Sequence, residues 1–348
     1  MSEDSPEPVR RRRPRYVGKH PRRFDEKYKE HHPERYADDV AKVIASGKTP
    51  AGTHRPIMVR EILEALRIRP GETAVDCTLG YGGHGRELLA ATQPGGRLIG
   101  LDQDPVELPK TEARLRALGF PEEALLVKRM NFAGLAAFLA REAPGGTDAI
   151  LADLGLSSMQ IDNPARGFTF KVDAPLDMRM NSERGQSAAA LLAKCSAVEL
   201  AHWLTEYSDE PRADILAEPI IRAKPQTTRA LATVVRDTVA ALPRKAADEE
   251  IDATVRRVFQ AIRIVVNDEF SALEGWLRNL PLCLKPGGRV AVLTFHSGED
   301  RRVKHAFKAG LHEGIYSAIN DEVIRATPAE QHSNPRSAPA KLRWAVRA

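Results

Sequence analysis

The segment from Thr73 to Asp102 limits the fold more than any other part of this chain. It reads Thr-Ala-Val-Asp-Cys, then a glycine-rich turn from Gly80 to Gly85, a helical stretch, and Gly-Arg-Leu-Ile-Gly-Leu-Asp. This is the order strand, tight turn, helix, second strand, with an acidic residue at the second strand's end. Glycines at 80, 82, 83 and 85 permit a sharp turn and let backbone approach a ligand closely. A carboxylate about twenty residues beyond such a turn is where nucleoside-binding sheets place a partner for ribose hydroxyls. The occupant expected here is a nucleoside-containing cofactor.

The rest of the chain supports a mostly parallel α/β sheet. A helix is expected after His54, with Val59, Ile62, Leu63 and Leu66 at helical spacing. Further strands are expected at Ala124–Met130 and Asp148–Leu154, with helices at Pro105–Leu118 and Leu135–Ala140, so that strand and helix alternate. From Gly155 the alternation stops. A polar stretch carries Ser157, Ser158, Gln160, Arg166, Asp177 and Arg179, and four short helices follow at Ser187–Ala193, Ala197–Glu206, Pro211–Ala223 and Thr228–Ala240. These read as an inserted helical subdomain. The α/β pattern is expected to resume with the helix Asp252–Asn267, then the turn Leu284-Lys-Pro-Gly-Gly-Arg, the strand Val290–Phe295, and a basic helix from Arg301. The divisions expected are 1–50 as a basic, largely disordered extension with a helix near Asp38–Ala45, 51–156 with 252–348 as the sheet domain, and 157–251 as the insertion.

Charge separates the extension from the rest. Eight of the 52 basic residues and three of the 47 acidic ones fall within 1–23, leaving 44 of each sign elsewhere. The arm at Arg10–Arg13 therefore suits an anionic partner such as RNA, and the basic C-terminal stretch points the same way. The three cysteines are far apart, which speaks against a zinc site or a disulfide framework and for a reducing compartment, the cytoplasm. No apolar run approaches membrane-spanning length, so a soluble protein is expected.

The glycine turn and distal acid are shared by NAD-binding and S-adenosylmethionine-binding sheets. Two features favour the second. The glycines are not spaced Gly-x-Gly-x-x-Gly, and Asp76 ends the first strand four residues before the loop, where it can hold the turn. A nicotinamide dehydrogenase and a non-catalytic RNA-binding assembly factor are the alternatives. Asp153, at the end of the fourth strand, is the first candidate to accept a proton from an attacking amine or to hold the cofactor nearby. Ser157, Ser158 and His296 border the same crevice, because open sheets place ligands outside the strands' carboxyl ends.

Several segments together resemble the RsmH (MraW) family of bacterial 16S rRNA cytosine-N4 methyltransferases. They are His54-Arg-Pro-Ile-Met, Asp76-Cys-Thr-Leu-Gly-Tyr-Gly-Gly-His, Gly100-Leu-Asp-Gln-Asp-Pro, Asp153-Leu-Gly-Leu-Ser-Ser-Met-Gln-Ile-Asp, Arg166-Gly-Phe-Thr-Phe, Pro175-Leu-Asp-Met-Arg-Met, Phe259-Gln-Ala-Ile-Arg-Ile-Val-Val-Asn-Asp-Glu and Phe295-His-Ser-Gly-Glu-Asp-Arg, in the family's order. The resemblance implies a Rossmann-like class I methyltransferase sheet with an inserted helical subdomain, methylating the N4 amine of one decoding-centre cytidine. It implies S-adenosyl-L-methionine as cofactor, contacted by Gly82, Gly83, His84, Asp102, Phe132, Asp153 and Gln160. Asp153 and His296 are the catalytic candidates. The expected partner is 16S rRNA or the small ribosomal subunit, with no metal and no membrane; a homodimer is compatible with such a chain. The sequence departs from the family at Met159, Gly298 and Ser208, and residues 1–50 have no recognised counterpart in it.

Overall fold

A computed structural model describes residues 56–348; the expected disorder of 1–50 and the helix near Asp38–Ala45 lie outside them. Seven strands form one sheet in the order β3-β2-β1-β4-β5-β7-β6. They are β1 (Thr73–Asp76), β2 (Arg97–Asp102), β3 (Leu125–Arg129), β4 (Thr147–Asp153), β5 (Leu284–Thr294), β6 (Tyr316–Ile319) and β7 (Lys341–Arg347). The first five pair in parallel, while β7 runs antiparallel between β5 and β6. Strand order reverses between β1 and β4, so a crevice opens at their carboxyl ends. Register brings Asp76 beside Gly100 on one side and Leu151 on the other, and Asp153 beside Leu293.

Alternation along the strands builds two apolar layers, since successive side chains leave a strand on opposite faces. Val75, Ile99, Leu101, Ile150, Ala152, Val290 and Val292 face α4 (Leu135–Glu142), α11 (Glu269–Asn279) and α12 (Ser297–His312), with Phe138, Trp276 and Phe307 filling the space. Ala74, Leu98, Ala149, Leu151, Ala291 and Leu293 face α1 (Val59–Leu66) and α2 (Gly83–Thr92), with α3 (Leu108–Arg116) at the edge. These strands are buried on both faces, which is why they read as nearly continuous apolar runs.

Between β4 and β5 lie α5 (Ser158–Asp162) and the helices α6 (Ala188–Leu192), α7 (Ala197–Ser208), α8 (Ala213–Ala223), α9 (Thr228–Ala240) and α10 (Asp248–Asn267). The insertion encloses a core of its own, including Leu200, Leu204, Leu216, Ile220, Leu231 and Val235. The expectation that the sheet pattern resumes at Asp252 is corrected here. Val255, Val258, Phe259 and Ile262 of α10 bury themselves in this helical core. An amphipathic stripe announces a helix but not which core it will join.

The basic C-terminal stretch also reads differently in the fold. Lys341 and Arg343 lie on β7, and both bind Asp300 of α12, Arg343 Nε at 2.6 Å and Lys341 Nζ at 3.2 Å. Burial acts to raise the Asp300 pKa, but the two cations hold it below the ordinary carboxylate value. These charges fasten the last strand. On α12, Arg301 binds Asp209, and Arg302 binds Glu206 and Glu274 while lying 3.7 Å over the Phe270 ring, so both tie the helix to its neighbours. Among the described residues, no helix is long and apolar enough to cross a membrane.

Candidate active site

The carboxyl ends of β1, β2 and β4 deliver three aspartates, Asp76, Asp102 and Asp153, to one crevice around the glycine turn. Asp102 accepts from Gly80 N–H at 2.8 Å through Oδ2 and from Asp104 N–H at 2.9 Å through Oδ1. It therefore holds the turn, and each oxygen keeps lone-pair capacity for a further donor such as a ribose hydroxyl. Thr111 of α3 closes the other side by donating to the Gly80 carbonyl at 2.6 Å. Gly82 sits at φ +83° just before α2, a conformation that favours glycine, and a Cβ there would stand 2.9 Å from Thr111 Cγ2. A Cβ on Gly85 would stand 2.7 Å from Leu79 Cδ1, so that glycine lets the helix seat against the turn.

Asp76 holds the turn from below, accepting from Thr78 N–H at 3.1 Å. It is buried, and desolvation pushes its carboxyl up to about 7 despite the nearby His84 and the Thr78 hydrogen bond, with Asp153 and Asp102 raising it further. The folded chain thus holds this proton more tightly than the unfolded chain, whose carboxyl titrates near 3.8. Stability therefore falls as pH rises through that window. Asp76→Asn keeps the acceptor for Thr78 and removes the titration. Its stability relative to wild type, read from urea midpoints, is expected to rise between about pH 4 and about pH 8; a constant difference would refute this.

Asp153 is fixed by its own N–H, which donates to Thr78 Oγ1 at 2.7 Å. Its Oδ2 stands 3.4 Å from His84 Nδ1, and its Oδ1 is buried with no hydrogen-bond partner among the described residues. The other ring nitrogen of His84, Nε2, lies 2.9 Å from the Ile57 carbonyl. Burial lowers the His84 pKa, but Asp153, the Ile57 carbonyl and Asp76 together raise it above the ordinary value.

The remaining candidates take separate places. Phe132 follows β3, half-buried and edge-on to Trp276 with ring centroids 5.8 Å apart, and can serve as one wall of an aromatic pocket. Gln160 is buried in α5. Its Oε1 accepts from Ser157 N–H at 3.0 Å, in a capping box, and its Nε2 donates to Asp104 Oδ2 at 2.9 Å. His296 is tied to another group of residues. Its Nε2 lies 3.1 Å from Glu299 Oε1 but out of line for a hydrogen bond, and its ring packs on Phe270 at 5.7 Å. The structure thus joins Gly82, Gly83, His84, Asp102 and Asp153 around one turn, with Gln160 one residue removed through Asp104.

Sequence reasoning missed Asp104 as a hub. One oxygen accepts from the N–H groups of Val106 and Glu107, and the other binds Gln160 and, at 2.7 Å, Arg166. The Asp-Pro-Val-Glu stretch carried the turn signal for the first contact, but no local pattern carried the second. Arg166, Arg179 and Arg263, whose guanidinium groups suit either phosphate or a structural ion pair, are all paired, with Asp104, Asp177 and Glu269.

The MraW methylase family model matches residues 51–348. A protein of Lachnoclostridium phytofermentans named ribosomal RNA small subunit methyltransferase H 1 is 48% identical over 99% of this chain and 95% of its own length. One of the same name from Agathobacter rectalis is 49% identical over 99% of each. A ribosomal RNA small subunit methyltransferase H of Symbiobacterium thermophilum is 40% identical over 84% of this chain and 96% of its own. The first two alignments span nearly all of residues 1–50, so that extension does have counterparts, contrary to expectation.

Proposed function

The chain belongs to the MraW methylase family, and on that premise we propose that it methylates the N4 amine of one decoding-centre cytidine in 16S rRNA. Its activity is S-adenosyl-L-methionine-dependent methylation of small-subunit rRNA; the target atom and nucleotide are the finer reading. The observation that carries this reading is Asp153, whose buried Oδ1, beside the glycine turn, has no donor among the described residues. A buried acceptor left unsatisfied costs about 1–3 kcal/mol, so the site is built for a donor that arrives with a ligand.

The residues present fit the cofactor. Asp102 would take the ribose, Phe132 would wall the adenine, and the turn at Gly82–His84 would receive the remaining polar groups, with Gln160 supporting them through Asp104. When bound, S-adenosylmethionine supplies an electrophilic methyl on a good leaving group. The lone pair of cytosine N4 is delocalised into the ring, so a nearby acceptor helps it become a nucleophile. Asp153 takes the proton that the amine gives up. His296, beyond the end of β5, borders the path of the base.

A base inside a helix cannot reach such a crevice, so the target cytidine enters unstacked. Recognition falls to the insertion, residues 157–251 together with the rest of α10, which share one core, while 51–156 and the chain from α11 onward hold the chemistry. The extension adds backbone affinity. Deleting residues 1–50 is expected to leave cofactor affinity unchanged, weaken RNA binding and flatten its dependence on salt; an unchanged salt slope would mean the arm does not touch RNA. A cytoplasmic location follows from the ribosomal substrate. A homodimer remains part of this proposal, read from the mass in solution.

The decisive experiment incubates the protein with labelled S-adenosylmethionine and undermethylated small-subunit particles, then maps modified cytidines by mass. One N4-methylated cytidine is expected. Methyl on another base or atom would overturn the finer reading. RNA binding without transfer would favour an assembly factor, and NADH binding without S-adenosylmethionine binding a dehydrogenase.

A further inference from the structure

His84 is surrounded by oxygen acceptors. A backbone carbonyl can only accept, so the 2.9 Å contact with Ile57 requires a hydrogen on Nε2. A neutral ring would then turn the bare lone pair of Nδ1 toward Asp153 Oδ2 at 3.4 Å, two acceptors face to face. One further proton between them removes the conflict. Placed on Nδ1, it makes an imidazolium beside a carboxylate. The titratable groups that face the ring are Asp153 on β4 and Asp76 on β1, both acidic. With the chain pinned at Ile57, the ring has a fixed orientation toward Asp153.

We propose that His84 is a positioning residue that works as an imidazolium, clamped by the Ile57 carbonyl, and that it holds Asp153 by Oδ2 so that Oδ1 is left to the incoming donor. This rests on the functional reading above and deepens it, since it concerns the side chain of His84 rather than the backbone of the turn. It also explains why a histidine occupies the second position of α2. The raised His84 pKa agrees with the geometry.

The test reads the ring directly. In cofactor-free protein with labelled histidines, the nitrogen resonances of His84 at pH 6.5, its ordinary pKa, should show both nitrogens protonated in most molecules. In Asp153→Asn the same ring should be mainly neutral. A ring that is already neutral at that pH in the wild type, or one unmoved by Asp153→Asn, would overturn the inference.

Activity supplies a second reading. His84→Asn places a permanently neutral donor where Nδ1 stood, whereas His84→Phe offers none. His84→Phe should lower kcat about 100-fold with a smaller change in KM for the cofactor, as expected for a misplaced catalytic group. His84→Asn should recover much of that loss and lack the alkaline fall in kcat that deprotonation of His84 gives the wild type. Equal losses in both variants, with wild-type melting temperatures and unchanged pH profiles, would mean a purely structural role. A wild type that transfers no methyl would instead overturn the functional reading, and this inference with it, even where the ring resonances are as expected.

Discussion

Asp153→Asn is expected to lower kcat for methyl transfer by about 10²–10⁴-fold, the range associated with losing a positioned proton acceptor. The substitution keeps the shape of the side chain and its anchoring N–H, which donates to Thr78 Oγ1. It changes only what the distal atoms offer. With His84 neutral and its hydrogen kept on Nε2 by the Ile57 carbonyl, the amide nitrogen donates to Nδ1 and the amide oxygen takes the place of Oδ1. A neutral amide oxygen accepts a hydrogen bond but cannot take up the proton the amine gives up. Single-turnover measurement at saturating S-adenosylmethionine separates the two roles open to Asp153. A kcat that survives while KM for the cofactor rises would assign it to cofactor binding alone. A kcat that collapses while the labelled cofactor still binds would assign it to the chemistry.

What the sequence made legible is the part whose chemistry is local. The turn at Gly80–Gly85, the acid at Asp102 and the strand end at Asp153 lie on short stretches where backbone conformation and residue type speak together. Four helices of the insertion, α6 to α9, were equally readable, because each carries its own apolar stripe and stop signals. What escaped depends on partners distant in sequence. The last strand carries Lys341, Arg343 and Arg347 in a basic run, and nothing local reveals that Asp300 takes two of them. Without that pairing the segment looks like an exposed arm; with it, the segment completes the sheet. The same limit hid which core α10 joins, since its stripe fits either, and the clamp on Asp153, which needs His84 from α2 and Ile57 from before α1. A binding turn is written consecutively, but the group that tunes a catalytic residue is supplied by the fold.

The junction between insertion and sheet should be the place where a single substitution costs most stability. Arg166 reaches Asp104 at 2.7 Å, with the two side chains only 10% and 2% exposed. Its other terminal nitrogen donates to the carbonyls of Arg179 at 3.1 Å and Met180 at 2.7 Å. Arg166→Met keeps much of the apolar stem but leaves a buried carboxylate without its cation and two carbonyls without their donor. Breaking a buried pair from one side costs about 3–5 kcal/mol, a large share of the roughly 5–15 kcal/mol that holds a domain folded. Gln160 still donates to Asp104 Oδ2, but a neutral amide does not replace a guanidinium. The double variant Asp104→Asn with Arg166→Met should regain part of the loss, because it removes the stranded charge. Urea midpoints of the four proteins in that cycle decide the matter, and a single-variant loss below about 1 kcal/mol would place the pair among ordinary surface contacts. Cofactor affinity should fall with stability, for Asp102 Oδ1 accepts from the N–H of Asp104 itself. Loosening Asp104 loosens the carboxylate proposed for the ribose, so the latch that secures the insertion also sets the geometry of the proposed cofactor crevice.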